Sequence, residues 1–361
     1  MNLDFTETQS LLQQTMRSYL EKEVPFDRIR ALEREQRFDD RLWKALCAQG
    51  WLALPVAEEH GGGGGSLFDG GVLVEELARR AAIVPVLEVV AAMRVMQRYA
   101  PVELVGELLA SCLVGDALIV PALFERNTRP DEFMLTVESG SLHGEKAFVD
   151  YGACASHHLV AAREGGKLGL FLVDARGPGL TYEPLRSIGR TPVSAVRYEG
   201  VSTRRAAGAD GCAELMRVGR ALAAVQCVGI MQQALDMTVR YASVREQFGK
   251  PIGSFQAVRH HCANMAIRLA SSRLLAYEAL SALDAGTATD GQVALAKASA
   301  SRAVPEVTML AHQIHGGNGV IEENDLYFFT LRGKESSLAW GSAEECLADV
   351  AESVDAPAEW L

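Results

Sequence analysis

The chain contains no run of eighteen apolar residues, so nothing in it reads as a membrane-spanning helix. Its first residues, MNLDFTETQ, lack a basic region and an apolar core, and no secretory signal is expected. Positive charge is in deficit, with 35 Lys and Arg against 46 Asp and Glu and a net charge of −11. That balance argues against nucleic acid and anionic membranes, which need basic patches. It does not exclude a polyanionic cofactor, because a few local arginines can hold one inside an acidic protein. The seven cysteines, at 47, 112, 154, 212, 227, 262 and 346, include no CxxC pair. Such a dispersed, odd set reads as reduced thiols in a cytoplasmic protein, with neither disulfides nor a metal site.

What is present is the composition of a soluble globular protein, 48% hydrophobic and 22% charged. At 361 residues the chain exceeds one ordinary core and should divide into two or three regions. Thr6-x-x-Gln9 is a capping box opening a helix through Leu11, Leu12, Met16 and Tyr19. Helical patterns follow at 40–49 and 71–98. Gly61–Gly65 has no lysine and Ser/Thr in phosphate-loop register and is expected to be a flexible turn. From about Val114 the texture changes to short runs rich in β-branched residues, HHLVAAR (157–163), LGLFLVD (168–174) and SAVRYEG (194–200). After about Gly208 long helical patterns return.

The chain is organised around Gly219–Asn264. Leu222, Val225, Val228, Leu235, Val239 and Ala242 form an apolar stripe on one long helix. Gly249, Pro251 and Gly253 break it, because proline lacks an N–H and glycine accepts turn dihedrals. A second helix restarts near Phe255. Arg245, Phe248 and Gln256 thus converge on one helix–helix corner, and a cation, a ring and an amide there suit an anionic, ring-bearing ligand such as a nucleotide.

The corner, REQFGKPIGSFQ, resembles a signature of the FAD-dependent acyl-CoA dehydrogenases. HQIHGGNGVIEEN (312–324) is similar to the Gln-x-x-Gly-Gly-x-Gly segment of the same family, and LPVAEEHGGGGGSLFDGGVLVEEL (54–77) to its N-terminal segment ending in Glu-Glu-Leu. The resemblance covers essentially the whole chain. It implies an α+β multidomain fold: an N-terminal helical domain (1–113), a middle β-barrel-like domain (114–208) and a C-terminal four-helix bundle (209–361). It also implies that Arg245, Phe248, Gln256, Gln313, Gly316 and Gly317 contact the ADP part of an FAD held mainly by a neighbouring subunit.

The family reaction takes the α-proton of an acyl-CoA thioester while the flavin accepts a β-hydride, so a carboxylate must face the α-carbon. Counting on from Gly316-Gly317-Asn318-Gly319, the family's glutamate position falls on Trp340. The alternative position, just before the arginine matching Arg220, is Gly219. Neither accepts a proton, and Glu335, Glu344 and Glu345 read as solvated helix charges. The flavin-ring motif at the end of the first strand is missing from IVPALFERNTRPDE (119–132). In LHGEKAFVDYGACASHHLVAA (142–162), Phe148 and Asp150 replace the usual tryptophan and threonine.

A chain keeping the nucleotide half and losing the base resembles the degenerate, non-catalytic subunit of actinobacterial α2β2 steroid or sterol side-chain acyl-CoA dehydrogenases. The expected partner is a homologous catalytic subunit, with acyl-CoA as substrate of the complex. Two alternatives are a self-sufficient dehydrogenase with a relocated base, and a flavin oxidase or monooxygenase on the same scaffold.

Overall fold

The computed structural model describes residues 5–126, 128 and 132–355. Six helices come first: α1 (Glu7–Glu23), α2 (Phe26–Glu35), α3 (Asp40–Ala48), α4 (Leu67–Arg79), α5 (Val86–Tyr99) and α6 (Val102–Leu113). Eight strands follow: β1 (Ile119–Ala122), β2 (Thr136–Glu138), β3 (Ser141–Asp150), β4 (His157–Glu164), β5 (Lys167–Asp174), β6 (Leu180–Leu185), β7 (Val193–Ser202) and β8 (Arg204–Ala207). The chain then returns to helices: α7 (Ala209–Val244), α8 (Gln256–Ala285), α9 (Asp290–His315), α10 (Leu326–Leu338) and α11 (Ala343–Asp355). Between α7 and α8 lies a small hairpin of β9 (Glu246–Gln247) and β10 (Lys250–Pro251). This is the expected order of helices, sheet and helices. Among the described residues no helix is long and apolar enough to cross a membrane.

The residues divide into two compact units. One holds the chain up to Ile29, Gly71–Ala82 and everything from Arg220; the other holds Arg30–Gly70 and Ile83–Gly219. The second contains the eight-stranded sheet, in the order β6-β7-β3-β2-β4-β5-β8, with β1 added beside β4. The pairs β1/β4 and β2/β4 are parallel and the rest antiparallel. The β-branched runs read from the sequence are β4, β5 and β7.

In the first unit the capping box at Thr6 forms as the sequence predicts. The Gln9 N–H donates to the Thr6 hydroxyl and the Thr6 N–H to the Gln9 side chain, at 3.2 and 3.0 Å. Two adjacent carboxylates on α4, Glu75 and Glu76, are almost wholly buried. Arg17 of α1 grips Glu76 with two hydrogen bonds of 3.1 and 2.8 Å. Arg273 and the Tyr277 hydroxyl, both on α8, donate to Glu75 at 3.1 and 2.8 Å. Arg79 reaches Asp236 of α7 at 3.0 Å. Burial pushes the Glu75 carboxyl up against the opposing pull of Arg273 and Tyr277.

Three expectations need correction. The helical pattern read over 71–98 does not run unbroken: it is carried by α4 and α5, parted where Ala81 turns to a φ of 54° and Pro85 supplies no N–H donor. The stripe on α7 is not one face: Ala221–Val225 are buried all round, whereas Val239 is 45% exposed. The glycine run is not flexible. The N–H groups of Gly63, Gly64 and Gly65 donate to the Ala53, Val56 and Leu54 carbonyls at 2.8, 2.9 and 2.8 Å.

A Cβ built on Gly62 would fall 2.0 Å from the Val56 carbonyl oxygen, a backbone atom that cannot swing aside. Gly62→Ala is therefore expected to destabilise by about 1–3 kcal/mol, the usual cost of overpacking. The check is a lower urea midpoint with an unchanged m-value.

Candidate functional site

The α7–α8 corner is built as the glycines and proline dictate. The helix proper ends at Val244 and Arg245 is the first residue beyond it, its N–H still bonded to the Tyr241 carbonyl at 2.8 Å. The Ile252 N–H then returns to the Arg245 carbonyl at 2.8 Å, closing the corner. At the hairpin tip Phe248 and Gly249 have φ values of 55° and 77°, the left-handed pair that a tight two-residue turn demands. Phe248 is 91% exposed, although its ring meets Phe255 edge-on at 6.0 Å. The Arg245 and Gln256 side chains are exposed, and Arg245 makes no ion pair among the described residues.

The glycine segment lies at the end of α9. Gln313, Gly316 and Gly317 are exposed, and Gly316–Gly319 form one 3-10 turn. Gly316 has a φ of 60° with a ψ of −142°, a combination reserved for glycine. Gly317 is different. Its φ is not positive and a Cβ there would meet nothing within 4 Å, so nothing inside the chain requires a glycine. The two motifs are joined by a contact that the motifs themselves do not announce. The rings of Tyr241 on α7 and His315 on α9 stack, with centroids 4.3 Å apart and planes 12° apart.

The Trp340 loop lies between α10 and α11. Trp340 is 5% exposed and has a φ of 61°, a left-handed conformation that is costly for a bulky residue. Its carbonyl accepts from Arg220 Nε at 3.1 Å, and Arg220 Nη1 donates to Asp349 at 2.6 Å. Buried Lys297 donates to the Gly341 and Ser337 carbonyls at 2.9 and 3.3 Å and to the Ser301 hydroxyl at 2.6 Å. Desolvation lowers the Lys297 pKa, and main-chain carbonyls take the place of a carboxylate partner. The Glu345 carboxylate accepts the Ser342 N–H at 2.7 Å, while the Glu345 N–H donates to the Ser342 hydroxyl at 3.3 Å. Glu345 is thus spent on a capping box. Glu344 is exposed, Glu335 half-buried, and Gly219 buried within α7.

In the sheet, Phe148 is 58% exposed with a φ of 52°, where β3 slips register against β7. Asp150 is half-buried, opposite Val193. The segment over 119–132 is described only in part, Asn127 and 129–131 lying outside the described residues. Its glutamate does something the sequence reading missed. Glu125 pairs with buried Lys146 at 2.5 Å and accepts the Met134 and Leu135 N–H groups at 3.0 and 3.2 Å. His158 is a second silent support. Its Nε2 donates to the Gly152 carbonyl at 2.9 Å, leaving Nδ1 to accept from the Tyr198 hydroxyl at 3.0 Å. Burial lowers its pKa to about 4, so it stays neutral. A lysine or histidine inside a strand run is the sequence signal that flags such groups.

The family models for the acyl-CoA dehydrogenase N-terminal and C-terminal domains match residues 6–116 and 207–354. Over 322 residues the chain is 30% identical to acyl-CoA dehydrogenase FadE27 of Mycobacterium tuberculosis, covering 86% of each. The solved ChsE4-ChsE5 complex from Mycobacterium tuberculosis is similar at a TM-score of 0.93 and 29% identity, over 99% of this chain and 100% of that one. The Tcur3481-Tcur3483 steroid ACAD variant is similar at 0.92 and 30%, over 96% and 98%. The chain belongs to the acyl-CoA dehydrogenase family. That family comprises FAD-dependent oxidoreductases acting on CH–CH bonds.

Lys146 yields a pH prediction. Its pKa falls from 10.5 to about 8, chiefly because burial disfavours the charge, against the pull of Glu125. The folded protein therefore binds fewer protons than the unfolded chain between those values, and this lysine's contribution to stability rises with pH across the window. Urea unfolding of the wild type and Lys146→Met at about pH 7.5 and about pH 10 checks this. The free-energy difference between them should move in favour of the wild type at the higher pH; a constant difference would contradict it.

Proposed function

We propose that this chain is the partner subunit of a heteromeric FAD-dependent acyl-CoA dehydrogenase, one that completes the ADP site and carries no base of its own. The observation that carries the reading is the occupancy of the two family base positions by Trp340 and Gly219. The bracing of the Trp340 loop supports it. Sliding a glutamate into place would release the Arg220 and Lys297 hydrogen bonds to the Trp340 and Gly341 carbonyls and take one of its three acceptors from a buried ammonium. The relatives support it too, since one solved neighbour is a complex of two named chains and another a steroid ACAD. On this reading the assembly is α2β2, the partner is a homologous catalytic chain, the substrate is an acyl-CoA of the steroid side-chain class, and the setting is cytoplasmic.

The residues present fit an FAD. The exposed Arg245 guanidinium suits a pyrophosphate, the bare Phe248 ring suits packing in trans, and the open surroundings of Gly317 suit a ligand approaching the backbone. Bound FAD supplies the hydride acceptor of the complex. Arg245, Phe248, Gln256, Gln313, Gly316 and Gly317 hold its ADP part.

Arg245→Ala should loosen the flavin by about 1–3 kcal/mol, the cost of a lost charge-assisted contact. Flavin content of the purified complex measures this, and unchanged content would reject the ADP assignment. The missing base is tested by Glu335→Gln, Glu344→Gln and Glu345→Gln, made singly in the reconstituted complex. Turnover should stay within a fewfold of wild type. A loss of about a hundredfold or more, as a general base contributes, would show that this chain carries the base after all.

A further inference from the structure

Arg245 and Gln313 lie near the ends of two different helices, and one ring stack joins those helices. Tyr241 is one turn before Arg245 on α7, and its carbonyl accepts the Arg245 N–H at 2.8 Å. His315 is the last residue of α9, directly before Gly316. Besides stacking on His315, Tyr241 points its hydroxyl at the His315 carbonyl at 3.5 Å, the far limit of a hydrogen bond.

His315 is 6% exposed, and neither ring nitrogen has a hydrogen-bond partner among the described residues. Leaving a buried polar group unmet costs about 1–3 kcal/mol, so hydrogen bonding does not explain the imidazole. Burial and the nearby His312 hold its pKa down, and the ring is a flat, neutral plate. His312 is itself tied to the Thr330 hydroxyl of α10 at 2.6 Å. The orientation of His315 is therefore set by packing on Tyr241. Any tilt of that pair moves the Arg245 corner and the Gly316–Gly317 turn relative to each other.

We infer that Tyr241 and His315 are positioning residues for the dinucleotide site, keeping the Arg245 corner in register with the Gly316–Gly317 turn so that one ADP is gripped by both. The inference rests on the reading of those residues as ADP-binding. Two grips held in fixed register need no ordering when the ligand arrives, whereas two uncoupled grips give up affinity to ordering. The aromatic planes are what matters, not the polar atoms they carry.

The experiment strips flavin from the protein in the assembly in which it purifies and titrates free FAD by flavin fluorescence, alongside thermal unfolding. Tyr241→Phe and His315→Phe keep the stack and should bind FAD within about twofold of wild type, and His315→Phe, freed of two unmet nitrogens, should melt no lower. Tyr241→Leu and His315→Leu should weaken FAD by about three- to tenfold, the range spanned by one aromatic pair's coupling. Leucine variants that bind as wild type overturn the inference, as do phenylalanine variants that fall as far as the leucine ones. Should a leucine variant fail to fold, the double variant Tyr241→His with His315→Tyr rebuilds the stack with rings exchanged. Near-wild-type affinity then supports the inference, and a loss of about threefold or more overturns it. Arg245→Ala serves as the reference. If it weakens FAD while the leucine variants do not, only the positioning role fails; if it does not, the ADP assignment fails and the inference falls with it.

Discussion

Two carboxylates buried side by side on α4 are the constraint on which the helical unit depends. Neither Glu75 nor Glu76 can remain charged inside protein unless cations follow it, because desolvating an ion costs more than a single exposed pair returns. Arg17 and Arg273 supply those cations from α1 and α8, and Arg273 also reaches the Gln232 side chain of α7 at 3.2 Å. Removing one partner of such a buried set typically costs about 3–5 kcal/mol. The second half of α7, which ends at the Arg245 corner, is thereby fixed by charge as well as by apolar packing.

The same rule governs the Trp340 loop with the sign reversed. Lys297 is a buried cation with no ion pair among the described residues, and the Gly341 and Ser337 carbonyls and the Ser301 hydroxyl serve instead. The Trp340 and Gly341 carbonyls meet Arg220 and Lys297 from a turn in which both residues take positive φ values, 61° and 109°. A conformation that a tryptophan resists is thus held by Lys297 and Arg220 together. Trp340 is part of the hydrogen-bonded framework, held through its own carbonyl by Arg220 and through its neighbour's by Lys297.

Much of this was legible in the sequence where the signal is local. The capping box at Thr6, the three strand runs and the break at Gly249-Lys250-Pro251 each follow from one residue's own dihedral or hydrogen-bonding needs. Less was legible where a residue serves distant chain. Nothing in the sequence singles out Glu125, yet it pairs with Lys146 and ties down residues 134 and 135. The glycines at 61–65 suggested freedom, but Gly62 is there because a backbone carbonyl occupies the place of a side chain. Ala81 and Pro85 split a pattern that periodicity alone joins, since apolar spacing continues across the turn.

The sequence by itself determined the family and the order of helices and sheet. Those features depend on residue type and spacing, which survive without coordinates. Tertiary structure alone decided that Tyr241 meets His315, that Lys297 and Arg220 hold the Trp340 loop, and that Glu345 is committed to a cap. Each of those is a contact or a backbone conformation set by packing, and a residue's letter carries no record of which distant atom will satisfy it.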